Sequence, residues 1–187
     1  VSVNNPKGTT IENSQITDQY NGAVMLDNGG TFDIINHGTL SWTTSSKFSV
    51  SAYIKSNTTV TNLTNTGIIS GSTDSNVGVG IVVSSSTLTN LTNTGTITGT
   101  AANLVAYGLM ASHSSTITNL TNTGTISAVS GGGGGNYAII ITTNSSITNL
   151  TNSGTISAVT DTDGSEGINL CSSSSITNLT NSGTISG

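Results

Sequence analysis

Side chains able to do chemistry are few in this chain, and they do not gather. Eight carboxylates, three lysines, two histidines and one cysteine are spread over 187 residues, and there is no arginine. The tightest group is Asp161, Asp163 and Glu166 in the run DTDGSEG. An Asp-x-Asp-Gly-x-Glu run could offer oxygen ligands to a calcium ion. It is too short for a full cation loop and occurs once, so a solvated polar loop is the expectation, and these three residues are the only metal candidate. His37 and His113 have no carboxylate or serine at useful spacing for a charge relay or a metal. Cys171 cannot form an internal disulfide and reads as an inert small residue. Trp42, Tyr53, Tyr107 and Tyr137 could serve as sugar platforms, but isolated aromatics more often pack. The expectation is therefore no catalytic residue, no cofactor and no enzyme. A polysaccharide-cleaving activity in particular lacks its carboxylate cluster.

What must position any site is a repeat. The twelve residues TITNLTNTGTIS from Thr116 recur, nearly unchanged, from Thr59, Thr87, Ser146 and Ser175, and a degenerate copy, GTFDIINHGTLS, starts at Gly30. The starts are 29, 28, 29, 30 and 29 residues apart. Such a period marks a solenoid, whose units bury their apolar faces only by stacking. Length variation falls in a polar bridge before each consensus and in connections such as Gly71–Val77, Gly99–Asn103, Gly131–Asn136 and Asp161–Glu166. These read as loops, and the consensus reads as scaffold. Residues 1–29 lack the consensus but hold strand-like pieces near Thr9–Ile11 and Ala23–Leu26. They read as an irregular N-terminal coil or partial cap, followed by repeats over 30–187.

Within the consensus the period is two. Leu120, Asn122, Gly124 and Ile126 fall on one face, with Thr121, Thr123, Thr125 and Ser127 on the other, which indicates strand. Ile117 and Asn119 are assigned to a second short strand before a corner near Asn119-Leu120. Upstream segments such as Gly80-Ile81-Val82-Val83, Gly108-Leu109-Met110-Ala111 and Gly167-Ile168-Asn169-Leu170 supply a third. In the first copy Gly22-Ala23-Val24-Met25 is aligned with them; around Ala52-Tyr53-Ile54-Lys55 the apolar phase shifts by a residue. The fold expected is all-β: a right-handed parallel β-helix, or solenoid, of about six coils of 28–30 residues with three short strands each.

Coils about 4.8 Å apart set like residues over like. Apolar columns follow: Val60, Leu88, Ile117, Ile147 and Ile176; Leu63, Leu91, Leu120, Leu150 and Leu179; Ile69, Ile97, Ile126, Ile156 and Ile185. Two inward asparagine ladders are expected, Asn62, Asn90, Asn119, Asn149 and Asn178, and Asn65, Asn93, Asn122, Asn152 and Asn181, because an amide both donates and accepts. Asp33 stands at the end of the first ladder. The glycine column Gly67, Gly95, Gly124, Gly154 and Gly183 suits a bend or a close backbone approach. Sequons such as Asn119-Leu120-Thr121 read as by-products of an inward ladder, which glycosylation would expel. Stacking also accounts for only 6% charged residues, since a charge would meet its like on the next coil.

The pattern Asn122-Thr123-Gly124-Thr125-Ile126-Ser127 and its copies, with openings such as Gly167-Ile168, resembles the passenger domains of bacterial autotransporters (type V secretion) and related secreted β-helical adhesins. The likeness covers residues 30–187 and includes nothing like the C-terminal membrane barrel. It implies a structural or adhesive segment of a secreted protein at the bacterial cell surface, held there by an outer-membrane-anchored parent. Partners would be host or bacterial surface molecules, or other copies of the chain. Three lysines exclude a basic patch for nucleic acid. No apolar run reaches the ~20 residues of a membrane span, so direct membrane insertion of this segment is not expected. Ending on a full repeat at Gly187 points either to a piece of a longer passenger or to end-to-end assembly. A second reading is ice binding by outward hydroxyls: Thr92, Thr94, Thr96 and Thr98, then Thr121, Thr123 and Thr125, would form a flat array.

Overall fold

The computed structural model of the chain describes residues 2–5, 10–12, 23–27, 29–132, 135–161 and 164–187. Among these are twenty strands and no helix. They form three parallel sheets, of seven, seven and six strands, and each sheet takes every third strand of the chain. This is a β-solenoid with three strands per coil. Five coils from Thr31 to Leu170 are complete; before them come the strands Ser2–Asn5, Thr10–Glu12 and Val24–Leu26, and after them Ser175–Asn181 and Thr184–Ser186. The sequence reading of about six coils counted the copies, the last of which contributes two strands.

One coil shows how the residues build the rest. Thr116–Asn122 lies in the first sheet, Thr125–Ser130 in the second and Asn136–Ile141 in the third. β-branched Thr, Ile and Val make up half or more of each, as a pleated surface favours. The consensus is thus divided at Thr123-Gly124 and not at Asn119-Leu120. Thr116–Asn122 is a single strand with a break in phase: Ile117 and Leu120 are buried, while Thr118 and Asn119 between them both lie half-exposed. Pairing with the neighbouring coils skips Thr118. Leu120 and Ile126 therefore enter the same core from different sheets.

The bend at Thr123-Gly124 requires its glycine. A Cβ on Gly124 would stand 2.1 Å from the carbonyl oxygen of Gly95, and one on Gly154 equally close to that of Gly124. Both obstacles are backbone, so no side-chain adjustment relieves them. A second crowded column runs through the third sheet, where two consecutive residues face inward. Gly80 and Gly108 occupy it, and a Cβ at either would lie under 3 Å from an isoleucine methyl and a carbonyl.

Register between coils is one-to-one along the first sheet from Thr59 onward; at the degenerate copy Phe32 pairs with Val60 and Asp33 with Asn62, so Thr61 has no residue opposite it. The three apolar columns expected from the sequence are the core, fully buried from Val60 to Ile156 and less so at Ile176, Leu179 and Ile185 in the last coil. The third sheet adds Ala52, Ile81, Leu109 and Ile139, with Ile54, Val83, Ala111 and Ile141. Its first two coils correct the alignment. Val24 pairs with Ala52 and Met25 with Tyr53, and Tyr53 pairs in turn with Val82. The small residues over Gly80 are therefore Ala23 and Ser51, one position later than Gly22 suggested.

Candidate functional site

A solenoid displays repeated columns outward, so the surfaces to weigh are its three outer faces and its corners. On the first sheet the outward columns are Thr59, Thr87 and Thr116; Thr61, Thr89 and Thr118; Asn62, Asn90 and Asn119; and Thr64, Thr92 and Thr121. The asparagine column here corrects the sequence reading. Asn62 and Asn178 are exposed, and Asn90, Asn119 and Asn149 are half-buried. It is a surface ladder in which each side-chain amide donates to the oxygen of the coil before: Asn90 to Asn62 (3.0 Å), Asn119 to Asn90 (2.9 Å), Asn149 to Asn119 (2.9 Å) and Asn178 to Asn149 (2.8 Å). Asp33 ends it, one carboxylate oxygen accepting from both the backbone N–H (3.0 Å) and the side-chain amide (2.9 Å) of Asn62. The phase break at Thr118-Asn119 turns this column outward. The sequon asparagines accordingly face solvent.

The other ladder is interior. Asn36, Asn65, Asn93, Asn122 and Asn152 are each 0% exposed, and each donates to the next coil at 2.7 Å, ending on Asn181. The same amide nitrogens also reach backbone carbonyls, as Asn93 does to Thr125 (3.0 Å) and Asn122 to Thr155 (3.1 Å). Asn36 extends this ladder into the degenerate copy.

The threonine array divides at the corner. Thr92 and Thr121 lie on the first sheet and Thr94 and Thr123 at the bend, whereas Thr96, Thr98 and Thr125 lie on the second sheet. All seven are exposed or half-exposed, but they do not form one plane. On the second sheet the next outward column passes from Thr100 to Val129 and Val159, the latter two 43% and 54% exposed.

The third sheet carries an apolar exterior. Val50, Val79, Tyr107, Tyr137 and Glu166 form one column, and Met25, Tyr53, Val82, Met110, Ile140 and Asn169 the next. Phe48 and Val77, from the connections, pack on Val50, Val79 and Val82. Tyr107 and Tyr137 stack with ring centroids 5.7 Å apart and planes 2° apart. Each covers one ring face of the other, so the pair is packing before it is a sugar platform. Burial above all, then Tyr137 and Cys171, raises the ionisation range of the Tyr107 hydroxyl; burial, then Glu166 and Cys171, raises that of Tyr137. Trp42 is buried in a column whose next members are Gly71 and Gly99. Lys55 pairs with Asp27 at 3.0 Å and sits 5.5 Å from the Tyr53 ring centre.

The remaining candidates stay apart. Asp161 and Glu166 are exposed, Glu166 accepting from Asn169 (2.9 Å), and Asp163 lies outside the described residues. Among the described residues no three His, Cys, Asp or Glu side chains converge as a metal site would need. His37 bonds Thr66 through Nδ1 (2.7 Å), and His113 Nδ1 meets Ser112 (3.0 Å) and Ser84 (3.3 Å). Cys171 is exposed. Beyond the last coil Ile168, Ile176, Leu179 and Ile185 line a concavity of about 650 Å³.

Sequence reasoning missed one column. Thr58, Ser86, Ser115, Ser145 and Ser174, one in each coil at the corner from third to first sheet, form a hydroxyl ladder. The backbone N–H of Thr58 donates to Ser86 Oγ, Ser86 to Ser115, Ser115 to Ser145 and Ser145 to Ser174, at 3.0–3.3 Å. The signal was present: a Ser or Thr immediately precedes each of these five consensus copies. Compared with protein-family models, curated proteins and solved structures, the chain matches none.

Proposed function

We propose that the chain is a non-enzymatic structural or adhesive segment of a secreted bacterial surface protein, carried by an outer-membrane-anchored parent. Its outer faces would make the contacts, with host molecules, with other cells or with further copies of the chain. The observation that supports this is the exterior of the first two sheets, where uncharged hydroxyl and amide columns repeat in strict register from coil to coil. Each contact to such a column is weak, and a surface that offers many in a row gains by avidity. The likeness of the Asn-x-Gly-x-Ile-Ser pattern to autotransporter passengers points the same way. The test is adhesion of beads coated with the purified chain to bacterial and epithelial cells and to one another. Binding should rise steeply with coating density. Beads that stay dispersed and unbound at every density overturn the reading.

The outward threonine columns of the first sheet alone, Thr59, Thr87 and Thr116 with Thr64, Thr92 and Thr121, support ice binding as the second reading. Thermal hysteresis of the purified chain, abolished by Thr92→Tyr, would establish it, and its absence removes it.

A further inference from the structure

The corner between the third and first sheets is not the same in every coil. Three residues, 56–58, join Lys55 to Thr59, and three, 113–115, join Ser112 to Thr116; between Ser84 and Thr87 there are two, Ser85 and Ser86. This is where the 28-residue spacing loses its residue. Ser56 and Asn57 in one flanking coil, and His113 and Ser114 in the other, form two-residue shelves with positive φ, whereas the short coil has Ser85 alone. Ser86 keeps its place in the hydroxyl ladder, so the missing residue comes from the exterior. The result is a notch of about 450 Å³ between Asn57 on one side and His113-Ser114 on the other, with Ser85, Thr59 and Thr87 lining it.

We infer that this notch is a binding site for a short neutral saccharide. Its volume falls within the roughly 300–1,000 Å³ of small-molecule sites. The lining has no carboxylate and no lysine, which favours neither an anion nor a cation. Hydroxyls and a carboxamide each donate and accept, and so match the mixed edge of a polyol. The side chains of Asn57, Thr59, Ser85, Thr87 and Ser114 make no hydrogen bond to protein groups among the described residues, in contrast to the bonded hydroxyls beneath them. With Nδ1 of His113 held by Ser112 and Ser84, its Nε2 is left for a ligand.

This inference deepens the adhesive reading and rests on it for its biological sense, but its test is separate. Amide chemical shifts are followed while cellobiose or lactose is titrated into the whole chain, with inorganic phosphate as the charged comparison. Saturable shifts confined to residues around Asn57, Ser85 and Ser114, at millimolar sugar, are expected. Inserting one asparagine between Ser85 and Ser86 restores the full-length corner, and should weaken binding about tenfold or more while leaving shifts of the distant coils in place. Should the insertion disturb the fold, Asn57→Ala with His113→Ala removes two lining groups from an exposed corner to the same end. Absence of saturable shifts, undiminished binding in the variants, or a response to phosphate at lower concentration than to either sugar overturns the proposal. Saccharide binding by a chain whose coated beads do not adhere would leave the notch standing and remove the adhesive reading alone.

Discussion

The two asparagine ladders share a residue type, a spacing and a strand, yet they do different work. The interior one donates from each coil to the next, toward the C-terminus; the surface one donates from each coil to the one before. Asn119 and Asn122, three residues apart, thus send their amides in opposite directions. Burial sets their worth apart: Asn122 is 0% exposed and Asn119 half-exposed. Water can replace the bonds of Asn119, while nothing replaces those of Asn122, whose amide also serves the carbonyls of Gly124 and Thr155. An unsatisfied buried polar group costs about 1–3 kcal/mol, while an exposed hydrogen bond contributes a net ~1 kcal/mol or less.

The comparison can be broken most forcefully by charge. Asn122→Asp would still accept from Asn93, but its second oxygen would face the oxygens of Asn152, Thr155 and Gly124. A loss of about 3–5 kcal/mol is expected in urea unfolding. Burial disfavours the carboxylate, so the folded-state pKa is raised; stability is then lost as pH rises above the unfolded value of about 3.9. The variant should recover as the pH is lowered toward that value. Asn119→Asp, still able to accept from Asn149 in partial contact with water, should cost about 1 kcal/mol or less.

Deletion gives the next largest contrast. Asn122→Ala leaves the Asn152 oxygen without a donor and takes from the Asn93 amide its shortest acceptor, leaving it the carbonyls of Gly95 and Thr125; it should cost about 2–3 kcal/mol, against ~0.5 kcal/mol for Asn119→Ala. Both are read from the shift of the unfolding midpoint at constant slope. Side-chain amide exchange sharpens the contrast without mutation: the carboxamide protons of Asn65, Asn93 and Asn122 should exchange only with unfolding, and those of Asn62 and Asn178 freely. Smallest is Asp33→Ala, which frees the backbone N–H and amide of Asn62 to solvent. It should move the Asn62 resonances and leave stability within about 0.5 kcal/mol.

Most of the architecture was legible because stacking writes itself into sequence. A column of Leu63, Leu91, Leu120 and Leu150 has one physical explanation at a spacing near 29 residues, and the structure buries all four. The surface ladder was misplaced because strict alternation assigns Asn119 by its neighbours, and the alternation breaks between Ile117 and Leu120. Pattern counting cannot see two consecutive outward residues inside one strand. Parity alone also joined the threonines into one flat array: Thr92 and Thr96 share a parity but not a sheet, since the bend at Gly95 lies between them. The hydroxyl ladder went unread for another reason. In a chain so rich in Ser and Thr, a serine such as Ser115 carries no contrast with its neighbours, and only its burial distinguishes it. The notch was visible as a number, the 28 among the 29s, but which corner lost the residue could be learned only from the strand ends.

One consequence of the one-to-one register is mechanical. Every complete coil is held to the next by parallel strand pairings, by the stacked apolar columns and by the amide and hydroxyl ladders. A chain drawn out by its ends should therefore come apart in equal steps, each surrendering one coil of about 29 residues and lengthening the tether by about 100 Å. Force would be absorbed as a series of like ruptures, a ratchet that yields without the whole rod failing at once.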